Sequence, residues 1–264
     1  MLANVLAAVL YAIATLLLVR DARASGESRG RTWLWAAIPA VLLHAFAHWQ
    51  GWYQTGSTDL HFFAALSLVG LGMAALTVLG AAGGSARALG VVVFPLAAVL
   101  LLAYGLYGHT VRPEALGWQL LLHAWLALLG YATLSLAAVL AMFLWAQERA
   151  LRRREFSLWL RALPPLTELE TLLFRTIGAG FVLLTATLLT GTVFVENLFA
   201  QHIVHHTILS ILSWLAFGAL LLGRWRRGWR GTIAVRWTLT AMALLVLAFF
   251  GSKFVLELVL RHGV

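Results

Sequence analysis

The sequence predicts an all-α integral membrane protein, a bundle of about eight transmembrane helices with both termini on the outer, periplasmic side. Of its 264 residues, 62% are hydrophobic and only 11% are charged, with a mean hydropathy of +0.89. Apolar runs of about 20 residues, enough to cross a hydrocarbon core of roughly 30 Å, recur throughout. Each span must satisfy its own backbone hydrogen bonds, and period-two alternation is absent, so helices are expected and a barrel is not. The chain is thus predicted to be a multi-pass protein of the bacterial inner membrane, in contact with the lipid bilayer.

The spans follow one another with short connections inside a single transmembrane domain, residues 1–264. They are predicted at 4–19, 32–50, 60–80, 89–108, 119–146, 172–192, 206–223 and 234–256. The first is interpreted as an uncleaved helix because Arg20 follows its apolar run and no basic residue precedes it. The one long connection, 147–171, contains Pro164 and Pro165, which end a helix and favour a new start just after them.

The basic residues set the predicted orientation. Of the 19 Lys and Arg, only Arg112, Lys253 and Arg261 fall outside one alternating set of connections. The positive-inside rule then places 147–171 in the cytoplasm and both termini outside. Topology therefore accounts for the formal charge of +9, and nucleic acid is not an expected partner. The chain has no cysteine, which excludes disulfides and thiolate metal sites.

All nine histidines lie at or near the predicted outer boundary. His44 and His48 are one helical turn apart, and His202 is one turn from both His205 and His206 if that stretch is helical. The others are His61, His109, His123 and His262. An isolated interfacial histidine is commonly a packing residue, but nine on one side predict a ligand site. Neutral imidazole binds Zn, Cu, Ni and Fe, and it is a common axial ligand of haem iron.

The side chains around these histidines favour haem over a bare metal ion. Seven aromatic residues in the predicted outer half would suit the apolar walls of a porphyrin site, although an aromatic belt at the membrane interface explains them in part. They are Trp49, Trp52, Tyr53, Tyr107, Trp118, Trp125 and Phe194. The three outer cations would suit haem propionates. Transport or sensing of a divalent metal remains the alternative, with Glu196 or Asp59 adding oxygen ligands to the imidazoles. Few polar groups occupy the cytoplasmic halves of the spans, which argues against metal transport across the bilayer. No Ser/His/Asp or HExxH arrangement is present, so the chain is not expected to be an enzyme.

Several elements from His123 onward resemble the cytochrome c assembly family of membrane haem-handling proteins, which includes the CcsA and HemX proteins. The region of resemblance is 119–264, and the likeness is strongest to the short YpjD-type branch. The elements are His123-Ala-Trp with Tyr131, the stretch 174–181 reading FRTIGAGF, 190–193 reading TGTV, Trp214, 228–231 reading GWRG, and 250–254 reading FGSKF.

This resemblance implies haem handling in cytochrome c biogenesis, as carrier, chaperone or regulator, with other cytochrome assembly membrane proteins as partners. It implies b-type haem with His123 as an axial ligand, and the second ligand would come from His202, His205, His206 or His262. His44 or His48 would hold a second position, and His123, His202 and His206 would also serve a divalent metal. The tryptophan-rich segment that presents haem in the family is missing, since 194–206 contains neither Trp nor Asp. A non-catalytic assembly factor without haem is therefore a further alternative.

Overall fold

The computed structural model describes residues 1–23, 31–56, 58–80, 87–108, 116–154, 163–194 and 204–251. These ranges are helical almost throughout and contain no strand. The helices are α1 (Leu2–Arg23), α2 (Leu34–Thr55), α3 (Phe62–Gly80), α4 (Arg87–Tyr107), α5 (Trp118–Arg152), α6 (Leu166–Phe194), α7 (Val204–Arg227) and α8 (Thr232–Val246). A π-helical turn, Leu247–Gly251, continues α8. The predicted all-α membrane bundle is confirmed.

Seven of these helices are long and apolar enough to cross a membrane; α2 does not reach the same hydropathy. Its 22 residues are sufficient in length, but His44, His48 and Gln50 lie within it. The structure offers an explanation for a polar span, because it gives the two imidazoles hydrogen-bond partners inside the protein. The orientation of the bundle in the membrane stays a prediction.

The connection predicted at 147–171 is shorter than expected. Helix α5 continues to Arg152, and α6 begins at Leu166, directly after Pro165. The apolar pattern ends where side chains are expected to leave the bilayer, whereas the helix continues into the polar stretch with Arg149 and Arg152 in its last turn. Residues 155–162 of this connection lie outside the described part of the chain.

Two compact units divide the chain. The first comprises Met1–Ala115 and Gln147–Leu169 and contains α1 to α4. Helix α4 packs against α1 and α3, and α2 packs against α1. Two glycines of α4 allow it to approach α1 closely. A Cβ at Gly90 would lie 2.6 Å from the Leu18 side chain, and one at Gly105 would lie 2.7 Å from the Asn4 side chain. These glycines therefore let α1 and α4 pack closely.

The second unit comprises Leu116–Ala146 and Glu170–Val264 and contains most of α5 with α6, α7 and α8. Buried side-chain hydrogen bonds join its helices. Tyr131 of α5 donates to the Leu245 carbonyl of α8 at 2.7 Å, and Ser213 of α7 donates to the Ala241 carbonyl at 2.8 Å. Interhelical bonds of this kind, together with dispersion contacts, hold helices together in a bilayer, where burial from water contributes little.

Candidate functional site

His123 is the candidate ligand with the best-defined surroundings. It lies on α5, and its Nδ1 is 3.1 Å from the hydroxyl oxygen of Thr190 on α6. The Thr190 hydroxyl is also within donating distance of two carbonyls of its own helix, Ala186 at 2.9 Å and Thr187 at 3.0 Å. Because its single proton is directed to the backbone, the oxygen is left to accept the Nδ1–H of His123.

This hydrogen bond determines which nitrogen of His123 can bind a metal. With the proton held on Nδ1, the lone pair of the neutral ring is on Nε2. A ring oriented by a partner at one nitrogen and basic at the other is the usual arrangement of a histidine ligand. Gly191 adds to the fit, because a Cβ there would lie 3.2 Å from Cε1 of His123. The absence of a side chain at Gly191 therefore leaves space beside the imidazole.

His206, in the first turn of α7, is the second candidate that the described residues bring near this site. It interacts electrostatically with His123, and its ring is edge-to-face with Phe249 at a centroid distance of 5.9 Å. Phe249 lies in the π-helical turn and is 5.8 Å from the ring of Tyr131. Single π-helical turns recur at functional sites, so this turn is a feature of the candidate site that sequence patterns did not predict.

Two further pairs of aromatic rings contact each other in the second unit. Trp118 and Phe194, near the ends of α5 and α6, are edge-to-face at 6.1 Å. Phe181 stacks on Trp214 at 5.5 Å, and the Trp214 indole N–H donates to the Thr185 hydroxyl at 2.8 Å. These contacts partner the indole nitrogen of Trp214 and pack the apolar faces of the rings.

His44 and His48 lie on α2 in the first unit and have different surroundings. His44 is fully buried, and both of its ring nitrogens have protein partners: Tyr11 Oη at 3.2 Å from Nδ1 and Ser67 Oγ at 2.9 Å from Nε2. The Nε2 of His48 is also 2.9 Å from Ser67 Oγ. To bind a metal, His44 would have to lose one of these hydrogen bonds. Its geometry therefore favours packing over ligation.

The surroundings of the remaining candidates are not part of what the structure describes. His202 and His262 lie outside the described residues, as do Glu196, Arg112, Lys253 and Arg261. His205 belongs to the first turn of α7. Among the residues that the structure does describe, no three His, Asp or Glu side chains come together as a bare metal ion would require.

The GWRG element, by contrast, has a clear structural role. Gly228 and Gly231 adopt positive φ angles of 65° and 58°, which glycine reaches without strain. The Gly231 N–H donates to Oε1 of the buried Glu170 on α6 at 2.9 Å. Arg224 donates to the Trp229 carbonyl at 3.2 Å and lies 4.0 Å from the Glu170 carboxylate. Glu170 and Arg224 therefore position the turn between α7 and α8, a role that spacing alone did not predict.

Comparison with known proteins agrees with the resemblance noted from the sequence. The family described as cytochrome C assembly protein matches residues 32–260, which extends well before the predicted region 119–264. Inner membrane protein YpjD of Escherichia coli strain K12 is 36% identical over 140 residues, 53% of this chain and 53% of that protein. An uncharacterized protein of Azospirillum brasilense is 38% identical over 152 residues, 57% and 56% of the two chains.

The aligned regions cover only part of each relative. The chain spans about half the length of the curated relatives it matches. The name of the Escherichia coli relative places that protein in the inner membrane, the location predicted for this chain. No solved structure matches the chain.

Proposed function

Because the chain belongs to the cytochrome c assembly protein family, with 32–260 matching, we propose that it handles haem in cytochrome c biogenesis. His123 of the second unit is the proposed axial ligand of a b-type haem. His206 is the proposed second ligand, with His202, His205 and His262 as its competitors. The role is that of a non-catalytic carrier, chaperone or regulator in the inner membrane.

The hydrogen bond between His123 and Thr190 is the observation that carries the proposal. It holds Nδ1 in place and leaves the lone pair of the ring on Nε2, as an axial ligand of iron requires. Bound haem would supply a redox-active iron. The protein's own contribution is to orient the imidazole, to leave space beside it at Gly191, and to place the ring of Phe249 beside His206.

Haem is preferred to a bare divalent metal because of the number of ligands each needs. Haem iron needs one or two protein ligands, since the porphyrin supplies four nitrogens. A structural or catalytic metal ion commonly takes three or four protein ligands. Among the described residues no such group of three is present, whereas His123 and His206 are both available in the second unit.

The proposal is tested by absorption spectra of the full chain, purified in mild detergent after expression with supplied haem. A Soret band that shifts on dithionite reduction is expected in the wild type. It should be lost in His123→Ala and weakened in His206→Ala, while His61→Gln in the other unit leaves it unchanged. A wild type without a Soret band would overturn the haem role. Metal analysis of the same sample would then show whether the protein binds a metal ion instead.

A further inference from the structure

Three buried side chains and the half-buried His48 of the first unit form a continuous hydrogen-bonded chain across three helices. Tyr11 Oη of α1 contacts Nδ1 of His44, and Nε2 of His44 contacts Ser67 Oγ of α3. The same Ser67 oxygen contacts Nε2 of His48. Tyr11, His44 and Ser67 are fully buried. We call these residues the Tyr11–His48 chain.

The shared hydroxyl gives the Tyr11–His48 chain two equivalent polarities. Ser67 has one proton and two imidazole partners, so it donates to one histidine and must accept from the other. If Ser67 donates to His48, then His44 donates to Ser67 and Tyr11 donates to His44. If Ser67 donates to His44, every bond runs in the opposite direction. A chain of donors and acceptors that works in both directions is the arrangement needed to pass a proton along it.

The His48 end of the chain lies beside a second pair of titratable side chains. The His48 ring stacks on Tyr104 of α4 at 4.4 Å, and the Tyr104 ring is 6.3 Å from that of His61. Nδ1 of His61 contacts the Asp59 carboxylate, and His48 interacts electrostatically with both residues. The Nε2 of His61 is buried and has no hydrogen-bond partner among the described residues. With Nδ1–H donated to Asp59, this nitrogen carries the lone pair of the His61 ring.

Among the described residues, the only side-chain hydrogen bond of Tyr11 Oη is that to His44. The Tyr11 ring stacks on Phe94 at 5.8 Å, and Phe94 is 5.7 Å from Trp33, so apolar rings cover it. The charged pair on α1, Arg20 and Asp21, lies at the far end of that helix. The titratable groups found beside the His48 end of the chain are Tyr104, which stacks on His48, and Asp59 and His61, which interact with it electrostatically.

We propose that the Tyr11–His48 chain is a proton relay, which takes up one proton at the face where Asp59 and His61 lie. The proton adds to Nδ1 of His48. The Nε2 proton of His48 passes to Ser67 Oγ, and the Ser67 proton passes to Nε2 of His44. His44 then carries the positive charge, with its Nδ1–H donated to Tyr11. Only N–H and O–H bonds change, and one proton is gained in total.

The relay predicts that His44 and His48 share a single proton. The test is ¹⁵N NMR of the full chain, labelled in histidine and reconstituted in lipid bilayers, with signals assigned through His44→Gln and His48→Gln. On acidification of the wild type, the ring nitrogens of both histidines should move toward imidazolium values over one common pH interval. A His44 that stays neutral while His48 titrates would overturn the relay.

Ser67→Ala is the decisive variant, because it removes the shared hydroxyl and leaves both imidazoles. The His44 signals should then remain neutral while those of His48 still shift. Thr77→Val is the matched control on the same helix, since the Thr77 hydroxyl bonds the Met73 carbonyl of its own helix at 2.8 Å. If Ser67→Ala does not fold, as judged by circular dichroism, Ser67→Cys replaces it and the same loss is expected. Unchanged His44 titration in the folded variant would refute the role of Ser67.

Discussion

Removing the hydroxyl of Thr190 should weaken haem binding by about tenfold without removing the ligand. Thr190→Val keeps the β-branched shape on α6 but deletes the acceptor that lies 3.1 Å from Nδ1 of His123. A neutral hydrogen bond contributes roughly 0.5–1.5 kcal/mol, and loss of an outer-shell partner of a metal-bound histidine costs about 10–100-fold in affinity. The upper end of the hydrogen-bond range and the lower end of the affinity range coincide at about 1.4 kcal/mol, which corresponds to about a tenfold change in affinity. The haem reduction potential should also rise, since the ring becomes less basic.

The assay is a haem titration of the detergent-solubilised protein followed by Soret absorbance, with a redox titration of the loaded sample. Thr176→Val is the matched control, because the Thr176 hydroxyl also bonds the backbone of α6, at 2.8 Å from the Leu172 carbonyl. Thr190→Ser should restore most of the affinity. If Thr190→Val and Thr176→Val bind haem equally tightly, the argument that Thr190 sets the tautomer of His123 is wrong.

Three further variants probe the second unit. Gly191→Ala places a Cβ 3.2 Å from Cε1 of His123, so haem affinity should fall, while thermal stability holds or rises by up to about 1 kcal/mol from helix propensity. Glu170→Ala removes a buried carboxylate that accepts a backbone N–H at 2.9 Å, and unfolding in detergent should show a loss of about 1.5–3 kcal/mol. Tyr131→Phe removes a 2.7 Å bond to the Leu245 carbonyl, and the same assay should show a loss of about 1 kcal/mol. A Gly191→Ala protein that binds haem normally, or a Glu170→Ala protein as stable as the wild type, would contradict the packing described.

Hydropathy predicted the existence and order of the helices because a span must be apolar over its full length. It predicted their ends less well, since a helix does not stop at the membrane surface. Helix α5 runs to Arg152, beyond the predicted end at 146, and only the proline pair before Leu166 marks the start of α6 directly. The π-helical turn at Leu247–Gly251 had no sequence signal, because it depends on how the end of α8 meets Tyr131 and His206.

The candidate site was predictable only as a group of residue types on one side of the membrane. What a histidine can do depends on partners far away in sequence. The hydroxyl that orients His123 is 67 residues distant, and those that occupy His44 are 33 and 23 residues distant. Such pairs form only when the helices pack, so neither spacing nor periodicity reveals them.

Histidines that look alike in the sequence therefore differ in the number of hydrogen-bond partners at their ring nitrogens. His44 has two protein partners, and ligation would cost it one of them in a site where water cannot replace the lost bond. His123 has Thr190 at Nδ1, which leaves the ring lone pair on Nε2, the nitrogen proposed to bind iron. The same geometry suits a protein that must receive a cofactor and later release it, because the imidazole keeps its orientation whether or not iron is bound.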